Sequence, residues 1–147
     1  MPHGIIVAVR SPATPHELGA VDRGLGEFNE QHEALNDVRA LHIIASDESG
    51  STVGGAVGRT WGKCCELQQL WVNPARRHGT IGRRLMETFE NEARNRGCTL
   101  IYLETFSFQA PEFYEKCGFT HALVTRGFTQ GVVKFTMHKQ LTAAADA

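Results

Sequence analysis

The stretch Leu70-Trp71-Val72-Asn73-Pro74-Ala75-Arg76-Arg77-His78-Gly79-Thr80-Ile81-Gly82-Arg83-Arg84-Leu85 constrains this chain most, because a short basic loop with two glycines joins an extended run to a helix. Residues 66–72 have strand character, and Pro74 cannot donate to a ladder, so pairing must stop at Asn73-Pro74. Over 80–96 the apolar residues Ile81, Leu85, Met86, Phe89 and Ala93 share one helical stripe, which predicts that Arg83, Arg84, Glu87, Glu90 and Arg94 face elsewhere. Gly97 supplies the C-terminal cap. The start of such a helix leaves main-chain N–H groups unpaired, and the helix dipole adds partial positive charge there. A phosphate is the natural partner, with Arg77, Arg83 and Arg84 adding full charges. On physics alone, an ordinary glycine turn entering a helix explains the same residues equally well. The nucleotide loops G-x-x-x-x-G-K-[ST] and G-x-G-x-x-G are both absent.

Around this segment the pattern predicts a mixed α/β chain. A strand over 5–10 precedes a helical face carried by Leu18, Val21, Leu25, Phe28 and His32 within 14–35. Strands over 40–45 and 52–60 flank the polar turn 46–51, and the strand 66–72 follows. After the long helix come a strand over 99–106, a short helix opened by Pro111 and closed by Gly118, and strands over 120–126 and 132–139. With 147 residues, 41% of them hydrophobic, one soluble domain over 1–141 is expected, with a flexible tail over 142–147. A net charge of -1 gives no general attraction for polyanions, so no nucleic-acid partner is expected. The apolar run 4–9 is too short for a membrane span or a signal peptide, which points to no membrane association and to the cytoplasm. Cys64, Cys65, Cys98 and Cys117 lack C-x-x-C spacing, so neither a metal site nor a disulfide framework is indicated.

The run Arg77-His78-Gly79-Thr80-Ile81-Gly82, preceded by Val72-Asn73-Pro74, resembles the acetyl-CoA signature [QR]xxGx[GA] of the GCN5-related N-acetyltransferase (GNAT) superfamily. Arg77 and Gly82 match its ends, while Thr80 stands at the internal glycine position and a glycine falls one place earlier, at Gly79. A second stretch, Thr105-Phe106-Ser107-Phe108-Gln109-Ala110-Pro111-Glu112-Phe113-Tyr114-Glu115-Lys116-Cys117-Gly118-Phe119, resembles the last helix of the same superfamily, in a bacterial-type branch of it. The resemblance implies a mixed, mostly antiparallel sheet with flanking helices, whose fourth and fifth strands (here 66–72 and 99–106) splay apart around the pantetheine arm of acetyl-CoA.

It further implies a diphosphate held by the amides of Arg77, His78, Gly79, Thr80, Ile81, Gly82 and Arg83. Main chain near Leu70, Trp71 and Val72 would lie against the pantetheine, and Ser107 would stand where an asparagine often contacts the cofactor. Tyr114 is the implied acid that protonates the CoA sulfur, with ring packing as the plain alternative. Glu66 is the implied general base; two-residue alternation puts it on one strand face with Gln68, Leu70 and Val72, and Glu104 on the next strand is a rival. The acceptor is then an amine on a small molecule or a protein, and a homodimer is an assembly common in that superfamily. A non-catalytic acyl-CoA-binding module of the same fold remains the alternative.

Overall fold

A computed structural model describes residues 4–142, in two units that divide between Asn36 and Asp37. In the first, helix α1 (Pro15–Glu30) begins with a capping box: Thr14 Oγ1 accepts from the Glu17 amide at 3.1 Å, and the Glu17 carboxylate accepts from the Thr14 amide at 2.9 Å. Pro15 occupies the first turn, where its missing N–H costs nothing. The helix ends before His32, which the spacing had included. Residues 4–10 form no strand, contrary to the sequence expectation. Apolar residues favour extended backbone, but a strand exists only where a ladder satisfies its N–H and C=O groups. Apart from Thr142, the expected tail lies outside the described residues.

The second unit is a six-stranded sheet carrying two helices. Strands β1 (Arg39–Ser46), β2 (Thr52–Trp61) and β3 (Cys64–Val72) form an antiparallel meander; helix α2 (Ile81–Asn95) then crosses over to β4 (Leu100–Phe106). Helix α3 (Pro111–Lys116), β5 (Thr120–Thr125) and β6 (Lys134–Gln140) follow, in the sheet order β1-β2-β3-β4-β6-β5. The first turn is closed by Asp47, whose Oδ1 accepts from the amides of Ser49 and Ser51 and from the Ser49 hydroxyl. Leu85, Met86, Phe89 and Ala93 of α2 are buried against Leu41, Ala56, Cys65, Leu67, Ile101, Leu103 and Met137 of the sheet. Each large side chain buried there contributes about 1.5–3 kcal/mol.

Three departures from the simple pattern shape this unit. Glu90 is buried, not solvent-facing, because Lys139 Nζ on β6 donates to both of its oxygens at 3.1 and 3.0 Å and to the Cys117 carbonyl at 2.7 Å. In the β2–β3 ladder Val57 pairs with Gln69 but Gly58 pairs with Leu67, so Gln68 is an extra residue, a β-bulge. The bulge reverses the alternation. Leu70 and Val72 pack against the core on the side of Cys65 and Leu67, and Glu66 points to the other face. Finally β3 and β4, parallel neighbours, pair only over Cys64–Leu67 and Leu100–Leu103. Beyond that they diverge, as expected for the fourth and fifth strands of the resembled fold.

Candidate active site

Two cavities lie along the far half of β3, one against Val72 and the other against Leu70 and Trp71. The first, about 140 Å3, is lined by Val72, Arg76, Arg77, His78, Gly79, Ile81, Gly82 and Arg83 at the start of α2. Asn73 Oδ1 accepts from the Ala75 amide at 2.9 Å and opens a single helical turn, Pro74–Arg76. Arg77 Nε then reaches back to the Val72 carbonyl at 2.9 Å, fastening the loop to the strand. Thr80, the N-cap of α2, makes no side-chain cap, and among the described residues the amides of His78, Thr80, Ile81, Gly82 and Arg83 find no protein acceptor. These are the orphan donors that an anion at a helix start satisfies. Thr80 is spared strain: its φ is -101°, and His78 carries the left-handed conformation instead, at φ 69°.

The second cavity, about 430 Å3, fills the gap between the diverging strands, lined by Gln68, Gln69, Leu70, Trp71, Glu104, Thr105, Gln109 and Tyr114. The β3 edge facing β4 is unpaired there, because the ladder between the two strands ends at Leu67. An extended amide-bearing chain could therefore bond to it as a further strand would. Tyr114 lines the gap from α3, its ring held edge-on by Phe113 and Phe119. Its hydroxyl has no protein partner among the described residues, and burial, with a smaller push from Cys117, raises its pKa to about 12. It is a neutral proton donor at physiological pH.

The structure thus brings together Leu70, Trp71, Val72, the loop 77–83 and Tyr114, and leaves two expected residues elsewhere. Ser107 serves as a clamp: its Oγ accepts from the Val133 amide at 3.0 Å and its own amide donates to the Val133 carbonyl at 2.8 Å. Glu66 lines a separate cavity with Arg59, Trp61, Gly62, Cys64 and Tyr102. There its carboxylate is engaged by Arg59 at 3.1 Å and by the Tyr102 hydroxyl at 3.2 Å. Burial first, and then the charge of Glu66, raises the Tyr102 pKa. Glu104 does line the gap, paired with Lys134.

Sequence reasoning missed Gln68, Gln69, Thr105 and Gln109 as lining residues. For Gln68 and Gln69 the only available signal was the adjacent polar pair inside a strand, which breaks apolar alternation. Among the described residues, the non-glycine positions with positive φ are His78 and Ala110, on loops, and Gln130, within the short helical turn Thr129–Gly131. Two of them adjoin these cavities, and such conformations cluster at ligand sites.

The model of the acetyltransferase (GNAT) family matches residues 10–119. Blasticidin-S acetyltransferase of Streptomyces morookaense is 31% identical over 109 residues, covering 71% of this chain and 80% of that protein. An acetyltransferase of Agrobacterium fabrum is 38% identical over 113 residues, covering 77% and 74% respectively. The crystal structure of an acetyltransferase from Bacillus cereus superposes with a TM-score of 0.75 at 27% identity, covering 91% of this chain and 98% of that one.

Proposed function

The chain belongs to the acetyltransferase (GNAT) family and is an acetyl-CoA-dependent N-acetyltransferase, and from that premise we propose that it acetylates a primary amine by direct attack in the gap between β3 and β4. The carrying observation is a pair of cavities along β3, one with unpaired amides at the start of α2, the other with the free edge of β3 and the unpartnered hydroxyl of Tyr114. Arg77, Arg83 and the amides over 78–83 would hold the diphosphate, and the β3 main chain near Leu70 and Val72 the pantetheine. The residues present fit such a group: the donors are oriented, and no side chain caps them.

In the reaction a C–N bond forms at the thioester carbonyl and the C–S bond breaks. Main-chain N–H groups on the free edge of β3 are placed to hold the oxygen as it gains charge. Tyr114 gives its proton to the departing sulfur. A lysine-like amine must first lose a proton to solvent, which costs about 4–5 kcal/mol at pH 7, and the second proton, released by the nitrogen as the C–N bond forms, restores Tyr114. We assign Glu104, which lines the gap, and not Glu66, which lines a separate cavity, to draw the ammonium in, by exchange with Lys134. We place the reaction in the cytoplasm, with a small-molecule amine as acceptor.

The test compares wild type with Tyr114→Phe. Both should bind acetyl-CoA with equal affinity by calorimetry, while CoA release with an amine panel falls by about 10²–10⁴ in the variant. Unimpaired release by the variant removes Tyr114 from the chemistry, and binding without release by wild type leaves a non-catalytic acyl-CoA-binding module.

A further inference from the structure

Three phenylalanines cluster next to residues that line the gap: Phe106 follows Glu104 and Thr105 on β4, and Phe108 precedes Gln109. Phe106, the last residue of β4, stacks on Phe108 with centroids 5.6 Å apart and planes 5° apart; it meets Phe128 edge-on at 5.5 Å and 89°. Phe108 is 72% exposed and Phe128 40% exposed, although the relief of burying such rings is large. The cluster is fastened at several points. The Phe106 amide donates to Gln109 Oε1 at 2.9 Å, and Gln109 lines the gap; the Ser107–Val133 clamp ties the Phe108 loop to the segment that follows Phe128. Lys134, which pairs with the gap-lining Glu104, lies 5.9 Å from the Phe106 centroid.

An exposed, anchored aromatic stack beside a carboxylate in a reaction gap has a chemical complement. On the reading of that gap as the site of acetyl transfer, we propose that the acceptor carries a planar aromatic ring as well as its amine. The ring extends the Phe106–Phe108 stack on the exposed side of Phe108. The ammonium replaces that of Lys134 against Glu104, so charge and shape are matched at the two ends of one molecule. An aliphatic amine satisfies the carboxylate but gains nothing from the parallel stack, and this difference sets the selectivity.

The experiment measures kcat/KM for 2-phenylethylamine and tryptamine against n-butylamine and n-hexylamine, with wild type, Phe108→Ala and Phe108→Leu. Wild type is expected to favour the ring-bearing amines by about tenfold or more, from stacking and added buried area. Both variants should bring that ratio close to one, the leucine variant because it keeps apolar surface and loses the plane, while half-saturation by acetyl-CoA stays where it was. Equal use of ring and chain amines by wild type, or a ratio that survives both substitutions, overturns the proposal and leaves acetyl transfer standing. If no amine of either kind releases CoA, the reading of the gap falls and this inference falls with it.

Discussion

Replacing Gly58 by alanine tests the device that shapes the site. A methyl group there would lie 2.0 Å from the Glu66 carbonyl oxygen and 2.9 Å from Phe89 Cζ. The first contact is with backbone, so no side-chain rotation relieves it; β3 must move by more than an ångström at the bulge. Overpacking of this kind costs about 1–3 kcal/mol, and a ladder hydrogen bond lost in the movement costs about 1 kcal/mol more. The sum, about 2–4 kcal/mol, corresponds to a fall in Tm of about 5–15 °C for a chain of this size. Displacing β3 also displaces the free edge at Leu70 and Val72, and a misplacement of about 1 Å lowers turnover by about 10². Gly24, inside α1, is the control: a methyl there meets nothing within 4 Å, and helix propensity favours alanine by about 0.5–1 kcal/mol. Urea denaturation and CoA-release kinetics on both variants provide the readout. If Gly58→Ala matched wild type in stability and in turnover, the close approach at the bulge would not be what places β3.

Glu104→Gln should raise the KM for amines at least about tenfold with little change in acetyl-CoA affinity, since a charged hydrogen bond contributes about 1.5–3 kcal/mol; Glu66→Gln should leave amine KM nearly unmoved, and the reverse pattern would restore Glu66 as the reacting carboxylate. Lys139→Met should destabilise by about 2–4 kcal/mol in urea, because it strands the buried Glu90 with only Arg94 at 3.6 Å, and Glu90→Leu added to it should recover most of the loss. Additive losses in that cycle would show that the pair does not act as a unit. The raised pKa of Tyr114 gives an alkaline signature: the neutral phenol is favoured by folding, so its stabilisation is whole below the unfolded value near 10 and is lost as pH rises through about 12. Wild type should therefore lose about 2–3 kcal/mol more than Tyr114→Phe across that window, and parallel pH profiles of the two would refute the burial of the phenol.

How much the sequence alone determined follows the range of the interactions involved. The apolar stripe of α2 and the bare amides at its start both depend on residues within a few positions of one another, so spacing and chemistry revealed them. The relation of Tyr114 to the loop at 77–83 was legible because two separated motifs resembled one family. The side of β3 on which Glu66 lies was not legible, because the bulge at Gln68 is a property of two paired strands and alternation within one strand cannot register an extra residue. The same holds for Glu90, whose partner Lys139 is 49 residues away, and for Ser107, whose hydroxyl is taken by Val133. Residues 5–10 have the composition of a strand without a ladder, since propensity is local and pairing is not. The local chain thus specified an anion-binding helix start, and only the register between distant strands decided where the gap opened and which carboxylate entered it.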